Sequence, residues 1–286
     1  MSITVERLGY TYNKGTSLAA NAFEDISFSV DHGEWVSIVG HTGSGKSTLV
    51  QHLNALLFAT SGKVLIDDFL ICEGSKHLRE VRKNVGLVFQ YPEQQLFAEN
   101  VREEIAFAPR NWGVPEDKIQ ERVTWALDSV GLSSDLLDAN PLELSGGQKR
   151  RVAIASVLSA RPRYLILDEP TAGLDAKGSR DLFQTLCAFQ DQGIATIHVT
   201  HDLELALSTS TKILVLDGGK SVVWGTPEEV ADELLNEKIH GMVLPTALQM
   251  VKELRLKGID IPAYWDVHKL VSTLEALRNS CNSQII

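Results

Sequence analysis

Gly40-His41-Thr42-Gly43-Ser44-Gly45-Lys46-Ser47-Thr48 sets a lysine and a hydroxyl directly behind three closely spaced glycines. The spacing fits the phosphate-loop pattern G-x-x-x-x-G-K-[ST]. Gly40, Gly43 and Gly45 let the backbone turn tightly, so that successive N–H groups and a following helix N-terminus converge on one anion. Lys46 then reaches the β- and γ-phosphates of a nucleotide, and the Ser47 hydroxyl is placed to ligate Mg²⁺. A glycine turn that merely starts a helix is the plainer reading. The short apolar strand pattern Trp35–Val39 before the glycines and the helical pattern from Ser47 after them are the context a phosphate site needs.

Two further stretches bear on the same chemistry. Tyr164-Leu-Ile-Leu-Asp168-Glu169 is an apolar run ending in two carboxylates, as when a buried parallel strand delivers acids to the carboxyl edge of a sheet. There Asp168 would hold Mg²⁺ through water, and Glu169 would orient and deprotonate the attacking water. Leu144-Ser145-Gly146-Gly147-Gln148 precedes the helical pattern that begins at Lys149, so its small residues form a second helix start able to approach a phosphate closely. One subunit cannot easily aim two such helix starts at one γ-phosphate. Two subunits arranged head to tail can.

Taken in this order, the motifs resemble the nucleotide-binding domain of ABC transporters over roughly residues 3–225. The resemblance implies an α/β fold: a P-loop NTPase core with an antiparallel β subdomain, a helical subdomain and a small C-terminal helical domain. It also implies that Ser145, Gly146, Gly147 and Gln148 close over ATP held by the other subunit. Tyr12 matches the aromatic that stacks on adenine, with Tyr10 as the alternative. Gln90, ending the strand pattern from Val85, matches the glutamine that joins Mg²⁺ to a movable loop. Asp175 matches the loop that crosses to the opposite subunit, and His201 the switch histidine at the γ-phosphate. His198 reads as a packed or hydrogen-bonded core histidine. None of the positions needed for hydrolysis is degenerate, so the resemblance implies an active ATPase using ATP and Mg²⁺.

Composition agrees. The 286 residues are 44% hydrophobic, enough for one large α/β domain and a smaller appendage. A formal charge of −10 argues against nucleic acid as the main ligand. Cys72, Cys187 and Cys281 are odd in number and widely spaced, which speaks against a disulfide framework or zinc site and for a reducing cytosol. No signal peptide pattern is read at the start, and no apolar run approaches ~20 residues. Transport would therefore need separate membrane subunits.

The elements divide into a core over 1–90 and 142–224, a helical subdomain over 91–141 ending at the signature, and a C-terminal helical domain over 225–286. The helical part includes the run from Pro115 to the glycine stop at Gly131. In the tail, Thr226-Pro-Glu-Glu229 is a capping box. Pro245 and Thr246 open a helix whose Leu248, Val251 and Leu254 share a face and which Gly258 stops. Asp266 opens another, striped by Val267, Leu270, Val271, Leu274 and Leu277. These helices either pack on the core or associate between subunits.

The tail, with Leu254–Pro262, and the run Val88–Phe97 resemble the ATPases of energy-coupling factor transporters, in particular the second ATPase type of heterodimeric modules. That resemblance implies uptake of vitamins or other micronutrients and a position on the cytoplasmic face of the cell membrane, as a peripheral protein. The implied partners are a second ATPase subunit (a heterodimer favoured over a homodimer), a transmembrane coupling protein and a substrate-binding membrane protein. A conventional importer or exporter ATPase, or a soluble ABC ATPase, shares the same motifs. Glu93, Glu99, Glu103 and Glu104 make the segment after Gln90 acidic and suited to a basic partner. Asn100-Val-Arg-Glu103 is itself a candidate capping box, which leaves Glu99 as the favoured contact.

Overall fold

The computed structural model describes residues 1–236, 239 and 241–283. The elements in chain order are β1 (Ser2–Tyr12), β2 (Ala20–Asp31), β3 (Trp35–Val39), α1 (Lys46–Leu53), β4 (Ser61–Ile66), β5 (Phe69–Leu70), α2 (Leu78–Asn84) and β6 (Val85–Val88). There follow α3 (Val101–Asn111), α4 (Glu116–Ser129), α5 (Gly146–Leu158), β7 (Tyr164–Asp168), α6 (Ala176–Asp191), β8 (Ala195–Thr200), α7 (Leu203–Thr209), β9 (Lys212–Asp217) and β10 (Lys220–Gly225). Three helices close the chain: α8 (Pro227–Asn236), α9 (Thr246–Leu256) and α10 (Val267–Ser283).

The strands form two sheets. An antiparallel sheet has the order β2-β1-β4-β5, and a second sheet has the order β10-β9-β3-β8-β7-β6. In the second, β9, β3, β8, β7 and β6 are mutually parallel, while β10 runs antiparallel on the edge beside β9. Parallel strands must be covered on both faces, and β3, β7 and β8 are buried at every position. Their period-two alternation sorts the core. Val36, Ile38, Ile166, Ile197 and Leu214 face the antiparallel sheet and α1. Trp35, Leu165 and Leu167 face the cluster built from α3, α4, α5 and α6. Val39, Ile213 and Val215 join residues of α7 to α10 in a third cluster.

Several boundaries differ from the sequence reading. β6 stops at Val88, so Gln90 lies in the turn beyond the strand. α5 begins at Gly146, which puts both signature glycines inside the helix. The Thr226 capping box forms in both directions, Glu229 N–H to Thr226 Oγ1 (3.3 Å) and Thr226 N–H to Glu229 Oε2 (2.8 Å). The stripe expected on α10 is divided. Leu270 is buried and Leu274 packs beside it, whereas Val267 and Val271 are nearly half exposed. No helix among the described residues is long and apolar enough to cross a membrane. The Cys281 side chain lies outside the described set, as do residues 237, 238, 240 and 284–286.

Candidate active site

The carboxyl ends of β3, β7 and β8 bring the phosphate-loop residues and the acids to one edge of the parallel sheet. At Gly40 and Gly45 the loop leaves no room for a side chain. A Cβ on Gly40 would lie 2.3 Å from the Leu216 carbonyl oxygen, and Gly45 combines φ +100° with a would-be contact of 2.9 Å to Ala22 O. Lys46 is buried and its Nζ donates to the carbonyl oxygens of Gly40 (2.7 Å) and His41 (2.9 Å). Burial lowers its pKa, partly opposed by the charges of Glu169 and Asp168. Thr42 and Gly43 form the exposed lip of the loop, and the Ser44 hydroxyl beneath it is buried without a partner.

Asp168 ends β7 almost fully buried. Burial raises its pKa, Glu169 adds to the rise, and the Ser47 hydroxyl and Lys46 oppose it. Its Oδ1 has no hydrogen-bond partner. Glu169 leaves the strand with φ +46°, a left-handed conformation costly for a glutamate. The turn aims its carboxylate between two other candidate residues: Gln90 Nε2 donates to Oε2 (3.3 Å), and His201 Nδ1 lies 3.5 Å from Oε1. Glu169, Gln90 and His201, from three separate segments, thus meet at one point.

Tyr12 and Tyr10 separate by environment. The Tyr12 ring is 38% exposed and its hydroxyl lies 3.0 Å from Thr48 Oγ1, at the start of α1. Tyr10 packs edge-on against His52 at 4.7 Å, on the core. Of the two rings, that of Tyr12 is the more exposed. His198 is fully buried with neither ring nitrogen hydrogen-bonded, its ring centroid 6.0 Å from Trp35 and 5.7 Å from Phe183. It is a packed histidine and not a hydrogen-bonded one, and burial pushes its pKa down to about 4.

The signature segment lies apart from these groups, at the start of α5. Ser145 and Gln148 form a reciprocal capping box, Ser145 N–H to Gln148 Oε1 (3.0 Å) and Gln148 N–H to Ser145 Oγ (3.3 Å). Asp175 accepts from the Gly178 N–H (2.7 Å) at the start of α6.

Three of the four acids after Gln90 are committed within the chain: Glu103, as expected, serves its own helix, while Glu93 and Glu104 correct the reading of the whole segment as suited to a basic partner. Glu93 accepts from Arg150 at both oxygens. Glu104, buried, accepts the N–H groups of Phe97 (2.9 Å) and Ala98 (2.8 Å). Asn100 caps the Glu103 N–H (2.9 Å), but the Glu103 carboxylate pairs with Arg110 instead of completing a capping box. Glu99 remains exposed. Its neighbours Phe97 and Phe107 are also exposed and meet edge-to-face at 5.0 Å, on the rim of a groove between the Gln90 turn and α3.

The sequence reading missed Arg150. Its guanidinium, 3% exposed, donates to Glu93 and to the carbonyl oxygens of Pro170 (3.1 Å) and Ala172 (2.6 Å). It thereby ties α5 to the Gln90 turn and to the segment after Glu169. The sequence shows no sign of this role: Arg150 stands between Lys149 and Arg151, and nothing in that run distinguishes the cation that pairs at a distance.

Comparison with known proteins follows this geometry. Residues 23–172 match the family model described as ABC transporter. The chain is 48% identical over 263 residues to the energy-coupling factor transporter ATP-binding protein EcfA2 of Caldanaerobacter subterraneus subsp. tengcongensis, covering 92% of each. Identity to the protein of that name from Clostridium acetobutylicum is 44%, covering 97% of this chain and 96% of the relative. Among solved structures, cbiO1 from Clostridium perfringens, described as part of the ABC transporter complex cbiONQ, superposes with a TM-score of 0.73 at 36% identity, over 89% of this chain and 98% of that one. The dimeric ATP-binding cassette MJ0796 bound to ADP and Pi gives 0.70 at 27% identity, over 79% and 98%. The chain belongs to the ABC transporter family, among the ATP-binding proteins of energy-coupling factor transporters, and is an ATPase.

Proposed function

We propose that this ATPase works as one half of a head-to-tail pair, with ATP held by residues 40–48 of one subunit and closed over by Ser145–Gln148 of the other. One observation carries the reading. Gly146 and Gly147 lie in a helix, have no left-handed backbone and meet no atom within 4 Å of a would-be Cβ. Nothing among the described residues requires glycine at either position. Bare backbone at a helix start is what a phosphate from a neighbouring subunit would need.

Within one site, Tyr12 stacks on the base and Lys46 exchanges its two carbonyl contacts for phosphate oxygens. Glu169 takes the proton of the attacking water, Gln90 and His201 fix the Glu169 carboxylate, and His201 turns to the γ-phosphate. Asp175 sits on the loop facing the second subunit. The donor set suits Mg²⁺: a hydroxyl at Ser47, an amide oxygen at Gln90 and the unpartnered Oδ1 of Asp168 are hard oxygen ligands, Asp168 acting through water. When bound, Mg²⁺ offsets charge on the phosphates.

Closure of the pair drives a transmembrane coupling protein and a substrate-binding membrane protein in micronutrient uptake, with the ATPases peripheral on the cytoplasmic face of the membrane. The names of the relatives support this reading, and the exposed Phe97, Phe107 and Glu99 supply a docking rim beside the Gln90 turn. A heterodimer is favoured over a homodimer.

The test is a mixed pair. Lys46→Ala in this subunit with the equivalent of Ser145→Arg in its partner injures one site and spares the opposite one, whereas Lys46→Ala and Ser145→Arg together in this subunit injure both. Hydrolysis should survive only in the first arrangement. Equal activity in the two would count against a shared site.

A further inference from the structure

We infer that the C-terminal helical segment braces the phosphate loop from outside, and that His41 is the positioning residue through which it acts. This rests on the reading that residues 40–48 hold the phosphates. Both ring nitrogens of His41 face oxygen acceptors: Nδ1 lies 2.7 Å from the Thr42 carbonyl oxygen and Nε2 lies 3.2 Å from Asp217 Oδ1, at the end of β9. From the other side comes Gly241, in the turn before α9. It adopts φ +69°, and a Cβ built on it would lie 3.0 Å from His41 Cβ and 3.5 Å from Cγ. The first turn of the loop is therefore held between a strand end of the core and a backbone segment of the tail.

Two connections carry that seating to the phosphates. Val39, the residue before Gly40, is packed in the same apolar cluster as Leu248 and Val251 of α9 and Leu270 of α10. The tail thus supports the strand end from which the loop springs. The carbonyl oxygens that hold Lys46 Nζ are those of Gly40 and His41. Any displacement of His41 shifts the two peptide groups that set the lysine. How the tail seats on the core should therefore be read out as affinity for ATP, a coupling that runs through packed groups with defined positions.

The experiment is titration of the full chain with ATP by calorimetry, with thermal unfolding of each variant as a check on folding. Gly241→Ala pushes a methyl against His41 and should weaken ATP binding on the order of tenfold. Gly258→Ala is the control, since Gly258 shares the left-handed backbone (φ +81°) in the same tail but meets nothing within 4 Å. It should leave affinity unchanged. Asp217→Asn loosens His41 without backbone strain and should weaken binding even if Gly241→Ala fails to fold. His41→Ala should weaken binding too, and adding Gly241→Ala to it should cost less than the product of the two separate effects. Wild-type affinity in Gly241→Ala and Asp217→Asn, an equal loss in Gly258→Ala, or fully multiplicative effects would overturn the brace. Lys46→Ala separates the two levels: if it binds ATP normally, the phosphate-loop reading fails, and not the brace alone.

Discussion

Arg150 and Glu93 are joined at two points, Nε to Oε2 at 3.0 Å and Nη2 to Oε1 at 2.9 Å, across the neck of the helical region. Glu93 has a pKa below the usual carboxylate range: burial pushes it up, and the bonds and charge of Arg150 outweigh that. Removing one partner of such a pair leaves the other partly buried without compensation. Arg150→Ala should destabilise the chain by about 3 kcal/mol in a denaturant titration. Exchanging the two, Glu93→Arg with Arg150→Glu, should not restore it, because the carbonyl oxygens of Pro170 and Ala172 would still face a carboxylate. Full recovery by the exchange would show that those carbonyl contacts matter little.

Glu169→Gln keeps the shape that Gln90 and His201 surround and removes the base. ATP binding should persist while turnover of the assembled complex falls by about 10²-fold or more. Near-normal hydrolysis would take the role away from Glu169.

Tyr12→Ala should weaken ATP binding by ~1–3 kcal/mol, the scale of a lost base stack. Tyr12→Phe gives up only the exposed contact with Thr48 and should cost about 1 kcal/mol or less. Tyr10→Ala should instead lower the unfolding temperature, since its ring packs on His52 and the core. An unchanged affinity in Tyr12→Ala would move the stack elsewhere.

His198 supplies a pH signature. Its pKa falls from 6.5 to about 4 on folding, so between these values the unfolded chain binds the extra proton. The stability it contributes is complete above pH 6.5 and is lost as pH falls toward 4, a change of about 3 kcal/mol. His198→Leu should flatten that part of the stability curve, measured by urea unfolding from pH 7 to pH 4. An unchanged slope would mean that the ring does not stay neutral in the core.

Glu99→Arg should leave ATP binding intact and weaken attachment to the membrane subunit or stop uptake in reconstituted vesicles, because like charges across an interface can cost several kcal/mol. Normal assembly and uptake would make Glu99 an ordinary surface acid. Glu93 is tied to Arg150 and cannot take its place. Gln94 and Gln95 are the next candidates.

The site was legible where local spacing dictates backbone shape. Gly40 and Gly45 are glycines because a side chain there would strike Leu216 or Ala22, and that demand writes itself into the pattern. The unbroken apolar run Tyr164–Leu167 likewise declared a strand buried on both faces. Long-range pairings were not legible. Glu93 and Arg150 lie 57 residues apart, and nothing in a run of acids distinguishes one paired at a distance from one facing water. The α10 stripe misled for a related reason: periodicity shows which residues share a face, not how much of that face another element reaches.

Gly146 and Gly147 carry a last implication, for rate law. A subunit whose signature glycines serve a neighbour would be kinetically silent when alone, so hydrolysis at low abundance should rise with the product of the two subunits' concentrations. The number of assembled pairs, and not the supply of ATP, would then govern flux. Surplus copies without a counterpart would leave the cell's nucleotide pool untouched.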